Sequence, residues 1–405
     1  MSDRPTARFL DRSTPPHVLT LVLLAGLSAL AMNVFLPSLP AMTAYFGTEY
    51  AVMQLSVSLY FAVNAVLQLV VGPVSDRFGR RPVLLASLAI FALATLGTLL
   101  ATTVETFLAF RMLQSTVAAA MVLSRAAVRD MVPEAEAASM IGYVTMGMAL
   151  VPMVGPMLGG ALDQSFGWQA SFLLLLACGI GVLALTWVDL GETATARQTS
   201  FRAQLGEYPA LLTARRFWGY CLAAAFSAGS FYAYLGGAPF VGANVFHLTP
   251  GMLGLYFGMP AVGYALGNYV SGRYSVRAGI NRMVLAGTVL STAGLIALVL
   301  VTLAGNESAP VFFGFFVVMG LGNGLVMPNA TSGMLSVRPQ LAGTASGLGS
   351  AIMVAGGAAL SALAGALLGP GSGALPLLAV MTASSAASVA AILYVLARER
   401  RIGLA

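Results

Sequence analysis

The sequence contains no lysine, and its acids are scarce, fourteen against twenty arginines in 405 residues. Charged residues make up 8% of the chain, where a soluble domain carries about 25%. So little charge cannot build a water-facing surface. Cysteine is nearly absent too. Cys178 and Cys221 both lie inside apolar runs, which excludes a disulfide framework or cysteine metal site and leaves them as small core side chains. The two histidines, His17 and His247, sit at the edges of apolar runs. No metal cluster, nucleophile–base pair or nucleotide loop is visible, so an enzyme is disfavoured and no cofactor is expected. The net charge of +6 comes from arginines spread over short loops, a pattern of membrane topology rather than of nucleic-acid binding.

Long apolar runs are abundant, and 58% of the residues are hydrophobic. Each bilayer crossing needs about 20 apolar residues. Without water, the backbone must satisfy its own hydrogen bonds, which selects helices. A large β-barrel would show short alternating segments instead. The runs predict twelve helices, at 18–40, 50–71, 82–102, 106–128, 138–162, 169–188, 217–242, 250–271, 281–304, 309–330, 341–368 and 374–397. With that layout every arginine except Arg111 falls on one side, and the opposite loops carry none. The positive-inside rule then predicts both termini in the cytoplasm and a multi-pass protein of the inner membrane. Cleavage of the first apolar segment as a signal peptide is not expected, because eleven spans would reverse this asymmetry.

The longest polar stretch, 189–216, divides six spans from six. Gly72, Ser75, Arg77 and Gly79 recur as Gly272, Ser275, Arg277 and Gly279, after spans 2 and 8. The expected fold is therefore an all-α membrane protein of two pseudo-symmetric six-helix halves, 1–188 and 217–405, joined by a cytoplasmic linker at 189–216. Between spans 2 and 3, "GPVSDRFGRRP" places Asp76 among Arg77, Arg80 and Arg81, with Gly72 and Gly79 expected to give a tight turn. A carboxylate accepting charge-assisted hydrogen bonds there can latch the halves in one state and release them in another.

This loop resembles the hallmark motif of the major facilitator superfamily. "GMALVPMVGPMLGG" in span 5, with Pro152, Gly155, Pro156 and Gly159, resembles that superfamily's drug-antiporter motif. "RMLQSTVAAA" from Arg111 resembles its span-4 motif, with Ser115 and Val117 in place of the expected glycines. "NVFLPSLPAM", "AGSFYAYLGGAPFV" and "LAGTASGLGS" resemble the Bcr/CflA drug-efflux subfamily, whose members export bicyclomycin and phenicols. The resemblance covers essentially the whole chain. It implies a monomeric drug exporter with alternating access, a small amphiphilic drug-like substrate and proton antiport.

One departure matters. The subfamily usually carries an aspartate where this chain has Asn33, and an amide cannot titrate, although it hydrogen-bonds. Arg111, about 8 Å inside the outer boundary if span 4 starts near 106, is the intramembrane cation, and such a charge is a functional site by default. No acid falls mid-span; Asp163, Glu105 and Glu49 near the outer face are the fallback proton carriers. The expected substrate and coupling residues are Asn33 and Arg111, with Gln114, Tyr60 and Tyr232 added by resemblance. Three readings other than proton antiport stay open: a proton-independent facilitator, an Asp→Asn trapped form of an antiporter, and a receptor or scaffold on a transporter fold.

Overall fold

The computed structural model describes residues 8–131, 151, 154–193, 209–338 and 341–401. Among these residues every regular element is helical. Among the described residues, nine helical stretches are long and apolar enough to cross a membrane, Val18–Phe46 and Val104–Val128 each counted as one. In chain order the elements are α1 (Val18–Asn33), α2 (Leu39–Phe46), α3 (Tyr50–Phe78), α4 (Arg80–Leu100), α5 (Val104–Gln114), α6 (Ala118–Met131), α7 (154–166), α8 (Gln169–Asp189), α9 (Arg215–Phe240), α10 (Pro250–Phe257), α11 (Met259–Ala278), α12 (Ile280–Leu303), α13 (Ala309–Ser336), α14 (Ala342–Leu367) and α15 (Leu375–Arg401). Predicted span 5 begins outside the described residues; its later part is α7.

Three predicted spans are each two helices. Span 1 breaks at a 3₁₀ turn, Leu36–Ser38. Pro37 and Pro40 supply no amide donor there, so the α-helical ladder cannot run through. Span 4 breaks at Ser115–Val117, where the Ser115 and Thr116 hydroxyls bond the Met112 and Leu113 carbonyls and compete with the backbone. Span 8 breaks at Gly258, just before Pro260.

The 72–82 stretch is not the turn that was expected. α3 continues through Gly72 and Pro73 to Phe78. A helix need not end with its apolar run, and Ser75–Arg77 tolerate helical geometry. Gly79 alone makes the corner, at φ 94° and ψ 149°, a region essentially confined to glycine. Gly279 repeats it at φ 85° and ψ 145°, two hundred residues on.

Leu93, Leu100, Leu173, Ile180, Leu300 and Leu303 point outward and exposed, a surface suited to lipid rather than water. Two span-end acids are buried instead. Asp189, ending α8, accepts from the Leu10 and His17 amides and the Thr20 hydroxyl. Glu399, ending α15, accepts from Arg216, Tyr220 and Asn281. Asp189 thus ties α8 to α1, and Glu399 ties α15 to α9.

Side-chain hydrogen bonds between the helices before 190 and those after 214 lie, among the described residues, toward the end away from the arginines. Tyr50 donates to the Gly236 carbonyl at 2.7 Å. Gln54 donates to the Ser361 carbonyl and hydroxyl, each at 2.8 Å. Backbones also meet there: a Cβ on Gly160 would overlap the Pro250 carbonyl, and one on Gly254 the Pro156 carbonyl.

Within the second set, Gly263 and Gly267 of α11 face Gly320 and Gly324 of α13 with no room for a Cβ, the small-residue contact that membrane helices use for close approach. Gly263→Ala should cost about 1–3 kcal/mol through overpacking and lower the unfolding temperature in detergent. Gly72→Ala, whose new methyl meets open space, should leave it unchanged. Thermal unfolding of both variants checks the pair.

Candidate functional site

Arg111 stands one turn before the break in span 4, and its side chain is 1% exposed. It points between helices, not toward lipid. Its guanidinium lies between two rings, 4.3 Å from the centroid of Phe35 and 4.1 Å from that of Tyr60. Nη2 donates to the Ala31 carbonyl at 2.7 Å, Nε to the Ser56 carbonyl at 3.3 Å, and Nη1 to Gln114 Oε1 at 2.8 Å. The Gln114 amide donates in turn to Thr95 at 2.8 Å. Every acceptor is neutral.

Burying a cation is costly. Carbonyl dipoles and two ring faces offset part of that cost, a desolvated cation–π contact contributing on the order of 2 kcal/mol. Arginine suits this cage because its planar group stacks while its edge donates. The break in α1 supplies one wall: Phe35 immediately precedes the 3₁₀ turn forced by Pro37.

Asn33 is also buried, on the turn whose Ala31 carbonyl Arg111 holds. Its amide folds back onto its own helix, donating to Ala29 at 2.7 Å. Gly155 lies against it, 3.8 Å from the Asn33 Cβ to a Cβ built on the glycine. One turn on, Gly159 packs against the Val34 carbonyl. Pro156 is in the contact with Gly254 described above, and Pro152 lies outside the described residues. The Tyr60 hydroxyl has no partner. Tyr232 joins at one remove, its ring 4.7 Å from Phe61, which neighbours Tyr60.

Around the motif corner, Asp76 pairs with Arg80 at 2.7 Å and Arg80 reaches Asp130 at 3.1 Å. Arg77 lies over the Phe78 ring. Arg81 donates to the Leu190 and Trp187 carbonyls. In this conformation these partners all precede residue 193.

Sequence reasoning missed Phe35, although it lies in the quoted span-1 motif, because the helix rotation that aims it at Arg111 is invisible in a string. It gave no sign that Gln54 ties α3 to α14. Asp163, one of the fallback proton carriers expected near the outer face, is 8% exposed and lies against Ser38. One of its oxygens has no hydrogen-bond partner.

A lipid-facing helical shell around a caged cation defines a polytopic membrane protein of the transporter kind. The family model of the Major Facilitator Superfamily matches residues 21–362, and the chain belongs to that superfamily, a family of transporters rather than enzymes. It is 30% identical to the uncharacterized MFS-type transporter YdgK of Bacillus subtilis, over 80% of this chain and 82% of that one. It is 31% identical to the chloramphenicol resistance protein of Pseudomonas aeruginosa, over 78% and 76%. It is 26% identical to a bicyclomycin resistance protein homolog of Haemophilus influenzae, over 96% and 98%. The resemblance to the drug-resistance branch thus holds. A bacterial homolog of the human lysosomal transporter Spinster, in an inward-facing and occupied conformation, shares the fold at a TM-score of 0.73 and 18% identity, over 95% and 96% of the two chains.

If the cage exists for function, an apolar replacement should not unfold the protein, since well-packed hydrophobes often replace buried charges without loss. Arg111→Met is expected to keep the unfolding temperature within a few degrees while abolishing transport. A large fall in that temperature would make Arg111 a structural residue.

Proposed function

We propose that this chain is a twelve-span exporter of small, amphiphilic drug-like molecules, working as a monomer in the inner membrane by alternating access. Both termini face the cytoplasm, and the halves 1–188 and 217–405 rock about a central site, joined by 189–216. The observation that carries the reading is the caged guanidinium of Arg111, held by neutral acceptors at the break in span 4. It is supported by the drug-resistance relatives.

Arg111, Gln114, Tyr60 and Asn33 form the substrate surface in the first half, and Tyr232 extends it across Phe61 into the second. The cage offers a positive centre flanked by aromatic faces, which suits a polar head on an apolar body. Asn33 contributes an amide that exchanges its Ala29 bond for a substrate bond. The seam of Tyr50, Gln54 and the span-5 glycines closes the end away from the arginines. By the positive-inside rule that end is the outer one, so this conformation is inward-facing. Substrate enters from the cytoplasm or inner leaflet and leaves when the seam opens. The corner of Gly72, Asp76, Arg77, Gly79 and Arg80 acts as the latch of the opposite state.

Proton antiport needs a group that titrates, and Asn33 does not. Among the described residues three acids are at least nine-tenths buried: Asp163, Asp189 and Glu399. The latter two are fully engaged in holding helices together. Asp163 keeps an unpartnered oxygen beside the seam, and we assign the proton to it.

Proteoliposome transport of a phenicol under an imposed pH gradient tests the coupling. Gradient-driven transport in the wild type, lost in Asp163→Asn, is expected. Indifference to the gradient in the wild type favours the proton-independent facilitator, and recovery of coupling in Asn33→Asp would identify the trapped antiporter. For the seam, Gln54→Leu should increase labelling of a cysteine placed at Thr48 by an impermeant thiol reagent. Unchanged labelling would remove Gln54 from the gate.

A further inference from the structure

A groove of about 550 Å³ runs between α9 and α15, remote from the Arg111 cage, and Arg215, Trp218, Leu222, Phe226, Ala390 and Tyr394 line it. We propose that this groove holds one anionic phospholipid of the arginine-side leaflet, its acyl chain between the helices and its phosphate on Arg215. The inference rests on the reading of the chain as membrane-spanning.

Three observations carry it. The first is length. From Arg215 to Phe226 the helix rises about 16 Å, roughly half of a ~30 Å hydrocarbon layer, so the groove is one leaflet deep. The second is polarity along that length. Its deep end is Leu222, Phe226 and Ala390; its mouth is Trp218 and Tyr394, residue types that settle at the headgroup level. The third is charge. Arg215 is exposed and, among the described residues, makes no ion pair. Its neighbour Arg216 is held by Glu399. The pair therefore divides its work: one arginine anchors α9 to α15, and the other, exposed and among the described residues without an ion pair, stands at the lip of the space between them.

A guanidinium binds a phosphate through two parallel hydrogen bonds. Arg398, Arg400 and Arg401 in the last turn of α15 add positive charge at the same end. That field disfavours a cationic amphiphile and gives a net-anionic headgroup its advantage over a zwitterionic one.

The test is native mass spectrometry of the full chain, purified in detergent and equilibrated with equal amounts of phosphatidylglycerol and phosphatidylcholine. One retained phosphatidylglycerol is expected. R215Q should reduce its retention about fivefold, and A390F, which fills the groove, should abolish it. R338Q, an arginine outside the groove, should retain it fully. Unfolding temperatures near wild type establish that the variants are folded. Equal retention of the two lipids by the wild type, or phosphatidylglycerol retention unchanged in both R215Q and A390F, overturns the proposal. Recovery of the wild type in carbonate-washed membranes separates these outcomes from a failure of the membrane-spanning reading itself.

Discussion

A guanidinium buried, among the described residues, without a counter-charge is the constraint on which the rest of this molecule depends. Arg111 receives carbonyls from α1 and α3, an amide from its own helix and ring faces from Phe35 and Tyr60. None of these neutralises it. A positive centre so placed persists only if the surrounding helices keep their rotation and spacing, because shifting one of them would strand a donor. The breaks in spans 1 and 4 satisfy this condition. Pro37 turns the chain so that Phe35 caps the cation, and the 3₁₀ turn after Gln114 leaves that side chain free to bridge Arg111 and Thr95.

The rest of the polar architecture is a pair of braces. Asp189 ties α8 to α1, and Glu399 ties α15 to α9. Gly79 and Gly279 make the same corner with nearly the same dihedrals. The chemistry of the two braces differs. Asp189 is met by two backbone amides and a hydroxyl, whereas Glu399 is met by an arginine, a tyrosine and an asparagine. One mechanical solution, a buried acid tying two helices together, is thus reached with different donors.

Much of this was legible in the string. Apolar runs located the helices, because lipid allows the backbone no other solution. The 200-residue echo of Gly72–Gly79 marked the matching corners at Gly79 and Gly279, and the small residues of span 5 marked a close contact. What escaped depended on rotation about helix axes. A string singles out Tyr60 and Arg111 but not Phe35, nor that two rings sandwich the cation. The tie from Gln54 escaped because its partner Ser361 is over three hundred residues away. Gly72 looked like a turn residue because polar neighbours follow it, although a helix is free to outrun its apolar stretch. Asp163 ends an apolar run near the outer face, and only the folded chain shows it buried against Ser38.

Where α7 meets α10, main chain touches main chain: Gly160 lies under the Pro250 carbonyl and Gly254 under that of Pro156. A joint of this kind has no rotamers to reset each time it parts and rejoins. Its surfaces slide back into register with little ordering entropy to recover, so it behaves as a bearing, and the pace of rocking falls to the long side chains around it.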